Sequence, residues 1–102
     1  MFCKVYNLEF ASIGEAKGGV SFLSEQIGGV ISESNIASLS ILLDKKGGVS
    51  VTVRFDAMEA MAEFAQKKAP VFSELRQKFP VRINELSAVA VFSFEREAGS
   101  IA

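Results

Sequence analysis

The chain has 102 residues, 11 basic and 12 acidic, for a net charge of −1, which is the length of one domain and leaves no basic stripe for nucleic acid or an anionic membrane. It has no histidine, so histidine-based zinc sites, serine–histidine triads and cysteine–histidine pairs are excluded, and no apolar run approaches the roughly 18 residues of a membrane span. Apolar residues make up 49%, more than so small an interior is expected to hide, and a second copy across a two-fold axis is the simplest cover for the surplus.

Strand one is predicted over Cys3–Phe10, with Tyr6, Leu8 and Phe10 on one face and Cys3, Val5, Asn7 and Glu9 on the other. The charges in this opening stretch do not suit a signal peptide, and a single cysteine forms no internal disulfide, so the expected setting is the reducing cytosol. Ser12-Ile13-Gly14-Glu15 has capping-box spacing. From it Ile13, Ala16, Val20, Leu23, Ile27 and Ile31 recur at helical steps. Gly14, Gly18, Gly19, Gly28 and Gly29 oppose them, at about 1 kcal/mol per interior glycine. The predicted helix is therefore either held by packing or broken at one glycine pair; the favoured reading is strongest over Val20–Ile27, with Gly28 as a candidate C-terminal stop.

Strand two is predicted over Ile36–Leu43 and strand three over Val49–Phe55, joined by Asp44-Lys45-Lys46-Gly47-Gly48. Pairing Leu43 with Val49 aligns Ile41 with Val51 and Leu39 with Val53, so the branched residues share one face. A one-residue slip would mix valines with serines. Helix two is predicted to open at Asp56, with Glu59 in capping position. Its buried stripe is Met58, Met61, Ala62 and Ala65, with Phe64 at the edge. Pro70 predicts a break near Lys68-Ala69, then a second piece burying Phe72, Leu75 and Phe79 and ending at Pro80. A link through Val81–Glu85 leads to a last strand over Leu86–Phe94, and the tail beyond it is expected to fray.

Two strand–helix–strand units in tandem predict a single ferredoxin-like βαββαβ domain over residues 1–102: a four-stranded antiparallel sheet with two helices on one face. The strand Cys3–Phe10, the hairpin through Asp44–Gly48, the interrupted second helix and the long last strand together resemble the dimeric α/β-barrel superfamily, which includes the antibiotic-biosynthesis monooxygenase-like domains. The resemblance implies that two sheets face each other across a two-fold axis and close a barrel. It also implies a small apolar or aromatic ligand between sheet and helices, which some members oxidise without metal or organic cofactor. The chain departs from the catalytic members in lacking tryptophan and histidine, residues that often contact substrate there. Gly19-Val20, Leu23, Ile27, Asn35-Ile36, Leu39 and Ile41 are also similar to the opening of amino-acid-binding ACT domains. That alternative implies a short last strand and an unbroken second helix.

Four residues stand out as ligand contacts. Arg54 shares its strand with apolar and hydroxyl residues, so enclosure by a partner would demand a counter-charge, Glu9 or a ligand carboxylate. Tyr6, the one tyrosine, suits orientation of a phenolic or carbonyl group. Met61 and Phe72, with Met58, Phe64 and Phe79, suit either a plastic pocket wall or an ordinary helix core. Cys3 lacks a histidine and Lys4 points to the opposite face, so Cys3 reads as a small buried residue. Lys-Gly-Gly-Val-Ser occurs at Lys17–Ser21 and Lys46–Ser50, yet matches neither phosphate-binding fingerprint. The expectation is a homodimer, joined through the sheet face and needing no cofactor or metal, that binds a small molecule between sheet and helices. A cofactor-free oxygenase or isomerase is the catalytic alternative.

Overall fold

The alternation in the strands decides the architecture of the computed structural model, which describes residues 1–29, 35–92 and 94. The elements are β1 (Phe2–Phe10), α1 (Ile13–Leu23), β2 (Ser38–Leu43), β3 (Gly48–Phe55), α2 (Met58–Lys78) and β4 (Val81–Val89). The sheet order is β2-β3-β1-β4 with antiparallel neighbours throughout, the ferredoxin-like arrangement expected. Leu43 pairs with Val49, Ile41 with Val51 and Leu39 with Val53, the predicted register. Tyr6, Leu8, Phe10, Val49, Val51, Val53 and Phe55 are buried on the inner face, which the helices cover. Cys3, Asn7, Thr52 and Arg54 alternate with them and lie on the outer face.

Asp44 closes the β2–β3 turn. Its Oδ1 accepts from the Lys46 amide at 2.7 Å and the Gly48 amide at 2.9 Å. These backbone donors, Gly48 first and Lys46 second, hold its carboxyl below the ordinary aspartate value. Gly47 sits at φ +96°, a conformation that only glycine adopts without strain. Its carbonyl accepts from the Phe10 amide at 3.1 Å, tying the turn to the end of β1.

Ser12 caps the first helix as expected, its Oγ accepting from the Glu15 amide at 3.2 Å. The regular helix runs over Ile13–Leu23, earlier than the stretch predicted to be strongest, and is held through Gly14, Gly18 and Gly19 rather than broken at a glycine pair. The reason is contact. Gly19 lies under the Phe10 ring and Gly18 against Phe79, and those two rings meet edge to face at 5.7 Å. A π-helical turn, Ser24–Gly28, then ends the segment near the expected stop. Lys68 of α2 donates to the Gln26 carbonyl of that turn at 3.1 Å. Ala16, Leu23 and Ile27 of the predicted stripe are buried, Ile13 is exposed, and Ile31 lies outside the described residues.

The second half of the chain corrects four expectations. Ala57, not Asp56, is the N-cap of α2, and it supplies no side-chain hydrogen bond. The helix is continuous from Met58 to Lys78 with Pro70 inside it. Pro70 and Gln66, whose carbonyl loses its amide donor, both face solvent, where water can take that donor's place. Phe64, Phe72 and Leu75 form one buried face across the proline, while Met58 and Ala62 of the predicted stripe are exposed. The last strand starts at Val81, directly after Pro80, and ends at Val89. It pairs with the whole of β1, Phe10 opposite Val81 and Phe2 opposite Val89. Ladder pairing therefore recruits the stretch that reads as a link. The unbroken helix is the feature implied by the ACT-like alternative, but the nine-residue β4 is not short.

Candidate functional site

One lysine breaks the apolar alternation on the inner face of β1. Lys4 shares that face with Tyr6, Leu8 and Phe10 and is itself buried, its side chain 9% exposed. A buried ammonium must be paired. The β1–β4 register supplies the partners, since Lys4 lies opposite Ser87 and Tyr6 opposite Glu85. Lys4 Nζ donates to Glu85 Oε1 at 2.9 Å and to Ser87 Oγ at 3.0 Å. It also lies 5.7 Å from the centre of the Tyr6 ring. Four polar side chains thus form a patch, two residues wide on each of two strands, where the pattern of the sheet would place core.

The patch is enclosed on one side and open on the other. Tyr6 is buried, its ring stacked on Phe72 of α2 with centroids 4.0 Å apart and planes 19° from parallel. Burial, and after it the negative charge of Glu85, raise the phenol's pKa well above its ordinary value, so Tyr6 stays a neutral donor. Glu85 is 56% exposed, Ser87 is exposed and Val89 is 58% exposed. The second half of β4 is therefore an open shelf on the helix side of the sheet. The arrangement offers a shielded cation, a neutral phenol and a reachable carboxylate within one ladder segment.

Of the four residues singled out in the sequence, three lie on this side. Tyr6 and Phe72 are in direct contact, and Met61 is half-buried against the same core. Arg54 does not join them. It lies on the outer face, opposite Cys3 of β1 and Ser38 of β2, because it alternates with the buried Val53 and Phe55. Of the other candidate wall residues, Phe64 packs on Phe55 at 5.4 Å, Phe79 on Phe10, and Met58 is 56% exposed. Sequence reading misses Glu85, which precedes the predicted strand start at Leu86, and Ser87, which lies within that strand but meets Lys4 only through the pairing of β4 on β1. Lys4 was legible as an interruption of the apolar face of β1, but its partners are tertiary.

The outer face carries Val5, Leu42 and Leu86 among serines, threonine and asparagines, with Leu42 63% and Leu86 57% exposed. Asn7, Leu42, Asp44 and Ser50 help line a shallow depression of about 320 Å³ there. Among the described residues no three acidic or cysteine side chains gather as a metal site. No helix among them is long and apolar enough to cross a membrane.

No protein-family model matches the chain, and no curated protein matches it. Solved structures do. A dimeric ferredoxin-like protein from an uncultured marine organism is 19% identical, with 94% of this chain and 100% of that one aligned at a TM-score of 0.71. A proposed antibiotic biosynthesis monooxygenase from Deinococcus radiodurans is 16% identical, over 96% of this chain and 100% of that one, at a TM-score of 0.76. A de novo designed protein with ferredoxin fold is 18% identical, over 96% of each chain, at a TM-score of 0.59. At these identities the likeness establishes the fold, and a fold does not by itself assign an activity. The chain has the ferredoxin-like fold, and its structural neighbours include dimeric ferredoxin-like and antibiotic-biosynthesis-monooxygenase-like proteins.

Proposed function

We propose that the protein is a homodimer, joined through the outer face of its sheet, that binds a small, partly apolar molecule on the helix side. The observation that carries the binding reading is the buried Lys4 with Glu85 and Ser87, beside the Tyr6–Phe72 stack. A lysine in a core position is retained at the expense of apolar packing, and here it flanks an exposed shelf. Tyr6 and Lys4 would orient an oxygen of the ligand, and Phe72 and Met61 would supply apolar wall. Arg54 would belong to the interface rather than to this site. The dimer is supported by the exposed Leu42 and Leu86 of the outer face and by the exposed Val91, Phe92 and Phe94 that follow β4. The lone cysteine fits a cytosolic setting.

The test is an NMR titration with 2-tetralone, a bicyclic aromatic ketone of this size and polarity. Binding should shift resonances of Tyr6, Phe72 and Glu85, and Tyr6→Phe and Lys4→Met should each weaken it by about tenfold, the value of one buried hydrogen bond to a charge or phenol. Saturable binding that neither variant changes would overturn the assignment of the site. Binding of free amino acids instead would favour the sensing alternative.

A further inference from the structure

The ion pair between Lys4 and Glu85 is asymmetric, and the asymmetry has the form of an acid–base site. In an ordinary surface pair both charged ends stand in water and contribute little. Here the cation is enclosed, its side chain 9% exposed, while the carboxylate is 56% exposed. A shielded ammonium polarises an oxygen more strongly than one in water, and an open carboxylate can reach a proton on a bound molecule. Ser87 fixes the ammonium from the same strand as Glu85 at 3.0 Å. Tyr6, directly opposite Glu85 in the ladder, adds a phenol donor. The patch has one positive and one negative charge, so it suits a ligand without net charge.

We infer that this patch catalyses proton transfer at a carbon adjacent to a carbonyl, with Glu85 as base and Lys4 and Tyr6 as the donors that hold the developing enolate oxygen; the inference rests on the binding reading above. Glu85, through the oxygen not bonded to Lys4, takes the proton. The C–H electron pair becomes the enolate double bond, and the carbonyl pair moves onto the oxygen. Glu85 then returns the proton to the same carbon, or to a conjugated one, which gives exchange or isomerisation. Nothing is oxidised or reduced, so no co-reactant is required. The substrate class is a neutral, partly apolar ketone with an acidic α-hydrogen.

The experiment follows deuterium uptake at C1 of 2-tetralone in D2O by NMR, with binding measured in the same samples. Wild-type protein should accelerate exchange about 100-fold over buffer, within the usual range for a positioned base. Glu85→Gln should return the rate to that of buffer while the ketone still binds, since its amide oxygen can still accept from Lys4. Lys4→Arg should keep part of the rate and Lys4→Met should lose it. Bound ketone exchanging at the buffer rate would overturn catalysis and leave the binding reading standing. Exchange by Glu85→Gln equal to wild type would overturn the role of Glu85. No binding to wild type would overturn both readings.

Discussion

Gly19 and Phe10 approach so closely that a Cβ on the glycine would collide with the ring, whereas a Cβ on Gly18 would lie 3.1 Å from Phe79 and one on Gly28 would meet nothing within 4 Å. The three glycines look alike in sequence and differ entirely in surroundings. Gly19→Ala should destabilise the protein by about 1–3 kcal/mol, the usual range for overpacking. Gly18→Ala should be milder, because Phe79 is only half-buried and can move. Gly28→Ala should be neutral or stabilising by up to about 1 kcal/mol, and thermal unfolding of the three variants tests the order. At the same scale, Tyr6 carries a pH dependence. Its pKa is raised on folding, so the unfolded chain releases the proton first. The stability contribution is whole below about pH 10, the ordinary tyrosine value, and is lost as pH rises above it. Tyr6→Phe should remove this alkaline fall in stability, and tyrosinate absorbance follows the group directly because it is the only tyrosine.

The hairpin and β1 were readable as elements because their alternation has period two and a slip would turn every valine outward. Helix two was readable in composition but not in continuity. A proline is locally a helix breaker, yet Phe64, Phe72 and Leu75 bury on one face across it, and Pro70 and Gln66 lie on the exposed face. Pro70→Ala should restore the hydrogen bond to the Gln66 carbonyl and stabilise the protein by about 1–2 kcal/mol, less than the full proline penalty because the unfolded chain gains freedom. Denaturant unfolding with an unchanged slope checks it. An α2 that proved kinked and loosely packed at Pro70 would show no such gain. Strand four was misplaced for the opposite reason: Val81-Arg82-Ile83-Asn84-Glu85 has too few apolar residues to announce an edge strand, and only its partner β1 makes it one.

For the whole molecule, the question is what meets the outer face. Leu86 is 57% exposed there, on the β4 edge of the sheet. If two copies pack through this face, light scattering at micromolar concentration should give twice the chain mass, and Leu86→Arg should shift the equilibrium to monomer without lowering helix content. A wild-type monomer would remove the interface. Composition, strand alternation and the order of elements determined by themselves the ferredoxin-like topology, the hairpin register and the two faces of the sheet, because each depends on local periodicity and short connections. Only the tertiary structure decided that Arg54 stands apart from Tyr6 and Phe72, and that Lys4 meets Glu85 and Ser87. Those relations depend on pairing residues some eighty positions apart, and no local pattern carries the register of β4 on β1.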